Sequence, residues 1–246
     1  MLMYEDNANV YDLINQGILY EKEAQMLTNL LLRCEGNSLL DVACGTGKLI
    51  SFIDSSHYKI AGIDYSKGML EIAKKKNSSS IDFLQGDMRK FNLDSTFSVV
   101  SCLGSAIQYN LSIDDLKDTI VTFYNHSSGY VIFDVRYCID KWVDGYIKNQ
   151  WYENEIYIIH ETWISNRIGV YSIWEPKFEI TNKISNEKKV YVDYHKIRLF
   201  SCKEIEEVLS SLHLNFNIVD VNLNECTNVK ECHFYYLINN SKKGTM

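Results

Sequence analysis

Two glycines and three aspartates are spaced in a way that suits binding of a nucleoside. Gly45 and Gly47 follow an apolar run that contains Asp41, and a helical pattern begins just after them. Glycines at a strand-to-helix turn let the backbone approach a ligand closely, beside the unpaired N–H groups of a helix start. Asp64 ends the next apolar run, where a carboxylate can accept from both hydroxyls of a ribose. Asp87 ends the third run and is placed to accept from an adenine amino group.

The loop differs from a dinucleotide-binding loop in two respects. Ile50 stands where the third glycine of G-x-G-x-x-G would be. Asp41 would repel a pyrophosphate, whereas it would attract the ammonium group of a methionine moiety, directly or through water. The pattern therefore indicates a nucleoside that carries an amino acid.

Such a site needs parallel strands whose carboxyl ends meet at one edge of a sheet. Short apolar runs alternate with helical spacing along most of the chain, and helical spacing between residues 9 and 33 predicts two leading helices. This alternation predicts an α/β fold with helices on both faces of a mostly parallel sheet. The predicted strands are 38–43, 59–63, 81–85, 97–103, 130–135, 216–221 and 233–238, and the predicted helices behind them are 48–54, 67–75, 113–124 and 203–212.

Residues from about 140 to 200 break this alternation. Three stretches rich in aromatic and β-branched residues (155–164, 170–180 and 189–200) predict an antiparallel insertion. Tryptophans are concentrated in or just before it, and they either pack the insertion onto the sheet or form a substrate roof or a dimer face. They are Trp142, Trp151, Trp163 and Trp174.

Composition restricts the possible partners. The formal charge of −7 and the pI near 5.4 argue against nucleic acid, and the apolar runs are too short to span a bilayer. We expect a cytoplasmic protein with one domain over residues 1–246, of which about 1–35 form a helical cap. No metal is expected, because histidines, cysteines and carboxylates do not cluster at ligand spacing on one element.

Three motifs together resemble those of class I S-adenosylmethionine-dependent methyltransferases. They are Leu40-Asp-Val-Ala-Cys-Gly-Thr-Gly47, Asp64 and Gly86-Asp-Met88, in that order. The resemblance implies a seven-stranded Rossmann-like sheet with an antiparallel last strand, and S-adenosyl-L-methionine as cofactor. The cofactor contacts that it implies are Tyr11, Tyr20, Asp41, Ala43, Cys44, Gly45, Gly47, Asp64, Tyr65, Met69, Gly86, Asp87, Met88 and Leu103.

Two subfamilies resemble the rest of the chain. The segments 11–17, 85–91 and 194–200 are similar to N-methyltransferases that dimethylate amino groups of nucleotide-linked deoxysugars. The segments 102–109 and 132–137 are similar to glycine N-methyltransferases.

The first resemblance places Tyr109 and Tyr4 beside the acceptor. His195 lies in the Tyr-His-x-Ile part of the insertion, and such groups can accept a hydrogen bond from the acceptor or relay its proton. We expect these three residues to be catalytic.

The second resemblance places Arg136 at a substrate carboxylate, with Ser105 and Tyr137 beside it. Ser105 replaces an asparagine of the glycine enzymes, which argues against glycine itself. A guanidinium pairs bidentately with carboxylates or phosphates, so Arg136 either grips a substrate anion or forms an ion pair with Asp134 or Asp140.

These observations predict a methyltransferase that acts on a small molecule, on an amine nitrogen of an anionic metabolite such as an aminosugar nucleotide or an amino acid. One alternative is an O-methyltransferase acting on a phosphate, a phosphoramidate or a sugar hydroxyl. A second is a protein that binds S-adenosylmethionine without catalysis. A homodimer is one expected assembly.

Overall fold

The computed structural model describes residues 4–5, 8–226 and 233–240, and the rest of the predicted domain lies outside these ranges. The helices are α1 (Ala8–Ile14), α2 (Tyr20–Leu31), α3 (Lys67–Lys76), α4 (Ile113–Asn125) and α5 (Cys202–Ser211). The strands are β1 (Ser38–Val42), β2 (Lys59–Asp64), β3 (Asp82–Gln85), β4 (Phe97–Cys102), β5 (Ser127–Asp134), β6 (Ile147–Glu153), β7 (Tyr157–Ile164), β8 (Asn166–Ile168), β9 (Tyr171–Trp174), β10 (Lys177–Asn182), β11 (Lys188–Val192), β12 (His195–Arg198), β13 (Phe216–Val219) and β14 (Tyr235–Asn239).

The main sheet has seven strands in the order β13-β14-β5-β4-β1-β2-β3. Strands β1 to β5 pair in parallel, and β14 is antiparallel to both of its neighbours. This confirms the predicted seven-stranded, mostly parallel sheet with an antiparallel last strand. The carboxyl ends of β1, β2 and β4 are adjacent at one edge of the sheet.

Both faces of the central strands are buried, which explains their near-continuous apolar sequences. Leu39 of β1 and Val99 of β4 pack on the face covered by α2. Leu40 and Val100, their neighbours along the strands, pack on the opposite face against α4 and α5. Successive residues of each strand therefore point to opposite faces of the sheet and pack into two separate hydrophobic cores.

The helix predicted at 48–54 is wrong. The chain forms a single turn of 3₁₀ helix, Ile50–Phe52, and returns to extended backbone at Ile53. Asp54 accepts hydrogen bonds from the backbone N–H and the hydroxyl of Ser56. Local bonds of this kind compete with continuation of a helix.

The insertion confirms the predicted antiparallel structure but divides it more finely. It has seven strands in two sheets, β11-β10-β7-β6 and β12-β9-β8. Pro176 separates β9 from β10 inside the predicted strand 170–180, because proline cannot donate to a strand ladder. The sequence did not predict β6, an edge strand whose residues are mostly exposed and do not alternate.

Helix α1 connects the insertion to the main sheet. Val10 and Leu13 pack against Ile159, Phe178 and Ile180 of the insertion. On its other side, Asp12 forms an ion pair of 2.8 Å with Lys76 of α3. No helix in the described part of the chain is long and apolar enough to cross a membrane.

Candidate active site

A cavity of about 660 Å³ lies between the carboxyl edge of the main sheet and the insertion. Its size is in the range of small-molecule sites. All but one of the predicted site residues line it: Tyr4, Tyr11, Tyr20, Asp41, Ala43, Cys44, Gly45, Asp64, Tyr65, Met69, Gly86, Asp87, Met88, Leu103, Ser105, Tyr109, Arg136, Tyr137 and His195.

The exception is Gly47, which is not among the residues that line the cavity. Its φ is +69°, and a Cβ there would lie 2.6 Å from the Asn77 amide and 3.1 Å from the Phe83 ring. The absence of a side chain at Gly47 therefore lets the loop pack closely against Asn77 and Phe83. Gly45, with φ +56°, does line the cavity, and a Cβ there would meet no atom within 4 Å.

Asp64 lies at the end of β2, beneath the loop. One carboxylate oxygen accepts from the Gly45 N–H and the other from the Ser66 N–H, both at 2.8 Å. Burial raises the pKa of Asp64, although these backbone bonds oppose the shift. The carboxylate thus fixes the loop while facing the cavity.

Asp41, in β1, is only 3% exposed. The Ser101 hydroxyl donates to it at 2.7 Å. Burial raises its pKa to about 7, far above the usual 3.8. A cation placed against Asp41 would stabilise its ionised form.

Asp87 is held by Arg89 through bonds of 2.9 Å from Nε and 2.6 Å from Nη2. These hydrogen bonds from Arg89 lower the pKa of Asp87. Arg89 also contacts Asp115 at 3.2 Å. The Asp87 carboxylate is therefore already oriented by Arg89, and it could also accept a hydrogen bond from an adenine amino group. The exposed ring of Tyr65 lines the same cavity.

These groups fit S-adenosylmethionine. Asp41 is a buried carboxyl group whose ionised form would suit the ammonium group of the cofactor, and Asp64 and Asp87 offer acceptors to its ribose and its adenine. The left-handed residues Ala43 and Gly45 curve the loop along the cavity wall. Nucleoside sites at this edge of a parallel sheet follow the general rule for open α/β folds.

A chain of hydrogen bonds crosses the acceptor side of the cavity. The Tyr4 hydroxyl lies 2.9 Å from the Tyr109 hydroxyl, which lies 2.9 Å from Nδ1 of His195. The other ring nitrogen of His195 lies 3.6 Å from the Asp193 carboxylate. Asp193 thus favours the tautomer that carries its proton on Nε2, so that Nδ1 accepts from Tyr109.

The surroundings keep His195 neutral. Its ring is 5% exposed and stacks on Trp174 with centroids 4.8 Å apart. Burial lowers the pKa of His195, although Asp193 opposes the shift. Burial also raises the pKa of Tyr109. A neutral imidazole that accepts from a protonated phenol is the arrangement expected near neutral pH.

Trp163 and Trp174 form the roof over this chain, with centroids 6.1 Å apart. The buried Glu161 accepts from the Trp163 indole at 2.8 Å and forms an ion pair of 3.3 Å with Lys148. Sequence reasoning missed Glu161 and Lys148, although both line the cavity. Glu161 occupies an inward position of β7, which is the one signal that could have indicated it.

The other two tryptophans lie elsewhere. Trp151 is 60% exposed and stacks on His160 with centroids 4.1 Å apart. Trp142 contacts the Tyr137 ring edge-on. The dimer face remains a prediction.

Arg136 lies between two buried carboxylates. Its Nε pairs with Asp134 at 3.0 Å and its Nη2 pairs with Glu23 at 2.9 Å. The sequence offered Asp134 or Asp140 as ion-pair partners, and the structure has Asp134 together with Glu23, which was not foreseen. The side chain also borders a second cavity of about 360 Å³, lined in part by Lys141.

Ser105 supports this cluster through backbone geometry. It has φ +63°, and its N–H donates to Asp134 at 2.7 Å. Its hydroxyl accepts from the Arg136 N–H at 2.9 Å. Tyr137 is fixed on the other side, where its carbonyl accepts from the Gln108 amide at 2.9 Å.

Comparison with known proteins agrees with this geometry. Residues 39–127 match a family model described as a methyltransferase domain. The chain is 28% identical, over 89% of its length and 94% of the relative, to dTDP-3-amino-3,4,6-trideoxy-alpha-D-glucopyranose N,N-dimethyltransferase of Streptomyces venezuelae. It is 32% identical, over 58% of its length and 59% of the relative, to dTDP-4-amino-2,3,4,6-tetradeoxy-D-glucose N,N-dimethyltransferase of Saccharopolyspora spinosa.

Solved structures show the same similarity over nearly the full length. The crystal structure of Streptomyces venezuelae DesVI superposes with a TM-score of 0.82 at 26% identity, over 94% of this chain and 97% of that one. The predicted methyltransferase activity and cofactor are confirmed. The chain is an S-adenosylmethionine-dependent methyltransferase with a small-molecule acceptor, and it resembles the class I enzymes of this kind, in particular the aminosugar N-methyltransferases.

Proposed function

We propose that this enzyme methylates the amino group of a nucleotide-linked deoxyaminosugar. The observation that carries the proposal is the chain of Tyr4, Tyr109 and His195, which brings a hydrogen-bond acceptor for an amine N–H to the cofactor cavity. Two relatives named for dTDP-linked aminosugars, one similar over 89% of this chain and the other over 58%, support the sugar class.

The direction of the chain follows from the neutral His195. Tyr109 donates to Nδ1 of His195, so its oxygen accepts from the Tyr4 hydroxyl. The remaining lone pairs of the Tyr4 and Tyr109 oxygens are then available to the acceptor amine. An N–H that donates to one of them leaves the nitrogen lone pair free for attack.

When bound, S-adenosylmethionine would supply a sulfonium methyl group: an amine attacks the methyl carbon in line with the sulfur, whose bond to that carbon breaks as S-adenosylhomocysteine leaves. Most of the acceleration comes from holding the nitrogen on that line, and the roof of Trp163 and Trp174 restricts the acceptor to it. The cofactor loop and Asp64 hold the other partner. The nitrogen gains a carbon bond and becomes an ammonium.

Loss of the extra proton restores a neutral amine. The proton passes to the tyrosine oxygen as that hydroxyl releases its own along the chain to His195. Asp193, at 3.6 Å, stabilises the resulting imidazolium. The faces of Trp163 and Trp174 also favour the positive charge of the methylated nitrogen.

We propose a single role for Arg136 toward the acceptor anion. Asp134 and Glu23 occupy Nε and Nη2, which leaves Nη1 as the edge without a partner among the described residues. Nη1 still carries two N–H donors that can bond a substrate anion, while Nε and Nη2 hold the two buried carboxyl groups.

An acceptor panel tests the function. The purified protein is incubated with S-adenosylmethionine and either dTDP-linked 3-amino or 4-amino deoxysugars, the matching dTDP-linked hydroxysugar, or glycine. We expect S-adenosylhomocysteine release and one or two added methyl groups with an aminosugar alone. Turnover restricted to glycine or to the hydroxysugar would overturn the proposal.

A further inference from the structure

A cluster of potential metal ligands lies outside the acceptor cavity. The Cys138 and Cys202 sulfurs are 3.7 Å apart, and the Cys138 sulfur is 3.3 Å from the Asp140 carboxylate. The ligand atoms of these three residues all lie within 4.8 Å of one another. None of the three lines either cavity.

The distances match those between ligands around one small ion. Two thiolates bonded to zinc at about 2.3 Å in tetrahedral geometry are about 3.8 Å apart. The observed separation of 3.7 Å needs almost no rearrangement. We propose that Cys138, Cys202 and Asp140 bind a thiophilic divalent cation, zinc in the cell, with water as the fourth ligand.

The position of Cys202 suits a metal-bound thiolate. It is the first residue of α5, where the unpaired N–H groups of the helix start favour an anion. Thiols lose their protons when they bind zinc, so a ligand at this position would be stabilised in its bound form.

Tyr236 supplies an independent observation. Its ring is fully buried in β14, and its hydroxyl has no hydrogen-bond partner among the described residues. Cys202 packs against the buried cluster that contains Tyr236. A buried donor without a partner is uncommon, and a thiolate or a metal-bound water beside it would satisfy it.

The position suggests a structural clamp. Cys138 follows Arg136 and Tyr137 directly, and Cys202 begins the helix that follows β12, the strand that carries His195. Without the ion, the two segments are joined by the Ile139 N–H, which donates to the Phe200 carbonyl at 3.1 Å. An ion would add a second link between two walls of the cavity without touching the acceptor.

Cadmium titration tests the site. The reduced, chelator-treated protein is titrated with Cd²⁺ while thiolate-to-metal absorbance is recorded, and Zn²⁺ affinity is then measured against a chromophoric chelator. We expect one equivalent to bind. Cys138→Ser and Cys202→Ser should weaken binding at least about 10- to 100-fold, the loss that even outer partners of metal ligands cause. Cys34→Ser, which changes a half-buried thiol far along the sequence, should leave binding unchanged.

Asp140→Asn covers the case in which a cysteine variant does not fold, because Asp140 is exposed. It should weaken cadmium binding about tenfold or more and leave the thiolate absorbance in place at saturation. Absence of stoichiometric binding, or binding that survives the double cysteine variant, would overturn the proposal. A reduced protein that binds no ion but forms a Cys138–Cys202 disulfide on oxidation would overturn it as well.

Discussion

The cofactor wall of the cavity, built from residues 41–103, and the acceptor wall, built from Tyr4, Tyr109, His195 and the two roof tryptophans, are assembled differently. In the cofactor wall, Gly45 donates to Asp64, 19 residues away. In the acceptor wall, Tyr4 meets Tyr109 across 105 residues, and Tyr109 meets His195 across 86. The first wall is a local motif, whereas the second exists only once the insertion has folded over the sheet.

This difference separates the chemistry of the two walls. In the proposed mechanism, the cofactor wall binds S-adenosylmethionine through backbone groups and carboxylates at strand ends, which other proteins with this fold can also supply. The acceptor wall is proposed to select the nucleophile and to accept its proton. Substitutions in the insertion should therefore alter substrate specificity and leave cofactor affinity unchanged.

The largest expected effect is on the hydrogen-bond chain. Tyr109→Phe removes the hydroxyl that connects Tyr4 with His195. We expect kcat to fall on the order of 100-fold, within the range of general acid–base contributions. His195→Gln should have a similar effect, since it removes the proton acceptor. Steady-state kinetics with the best aminosugar measures both.

The double variant makes this prediction sharper. Residues that act as one unit are not additive, so Tyr109→Phe with His195→Gln should be no slower than either single variant within a few-fold. Tyr171→Phe is the matched control, because its hydroxyl donates to the Leu111 carbonyl and it does not line the cavity. Additive losses, or an equal loss in the control, would refute the relay.

The two walls also differ in how far the sequence could predict them. The glycine loop, Asp41, Asp64 and Asp87 were predicted because they lie at or just beyond the carboxyl ends of short apolar strands, where ligands bind in such folds. Tyr109 and His195 were named individually, but the bond between them could not be predicted. Asp193 was not named at all, because its role depends on the ring position of its neighbour.

The same limit explains the errors in the fold. The parallel sheet was predicted because its strands are short apolar runs between helices. Strand β6 was missed because an exposed edge strand carries no alternation. The cluster of Cys138, Asp140 and Cys202 could not be predicted from the sequence, because Cys202 is 64 residues away from Cys138 along the chain.

The next effect concerns cofactor binding alone. Asp64→Ala removes the acceptor proposed for the ribose and the partner of the Gly45 N–H. We expect a loss of about 1.5–3 kcal/mol in S-adenosylmethionine binding, or about 10- to 150-fold in Kd. Calorimetric titration provides the measurement. Asp64→Asn, which keeps one side-chain oxygen, should lose less affinity for S-adenosylmethionine. If folded Asp64→Ala protein binds S-adenosylmethionine as tightly as the unmodified protein, Asp64 does not bind the ribose.

The smallest expected effect is the pH dependence of cofactor binding, and it tests Asp41. Burial raises the pKa of this carboxyl to about 7. The protonated form dominates below that value and cannot pair with the cofactor ammonium. A folded-state pKa above the unfolded value also means that this group lowers folding stability as pH rises through 7. The cofactor cation should reverse that loss.

If only the carboxylate form binds, affinity should rise about 5-fold between pH 6 and pH 7. Asp41→Asn should bind more weakly, and the part of the pH dependence that is due to Asp41 should disappear. Burial also raises the pKa of Asp64, but that group is present in both proteins, so the difference between them isolates Asp41. Calorimetry with S-adenosylmethionine at several pH values measures both curves. Parallel curves for the two proteins would show that Asp41 does not contact the ammonium, and that its only role is to accept from Ser101 within the sheet.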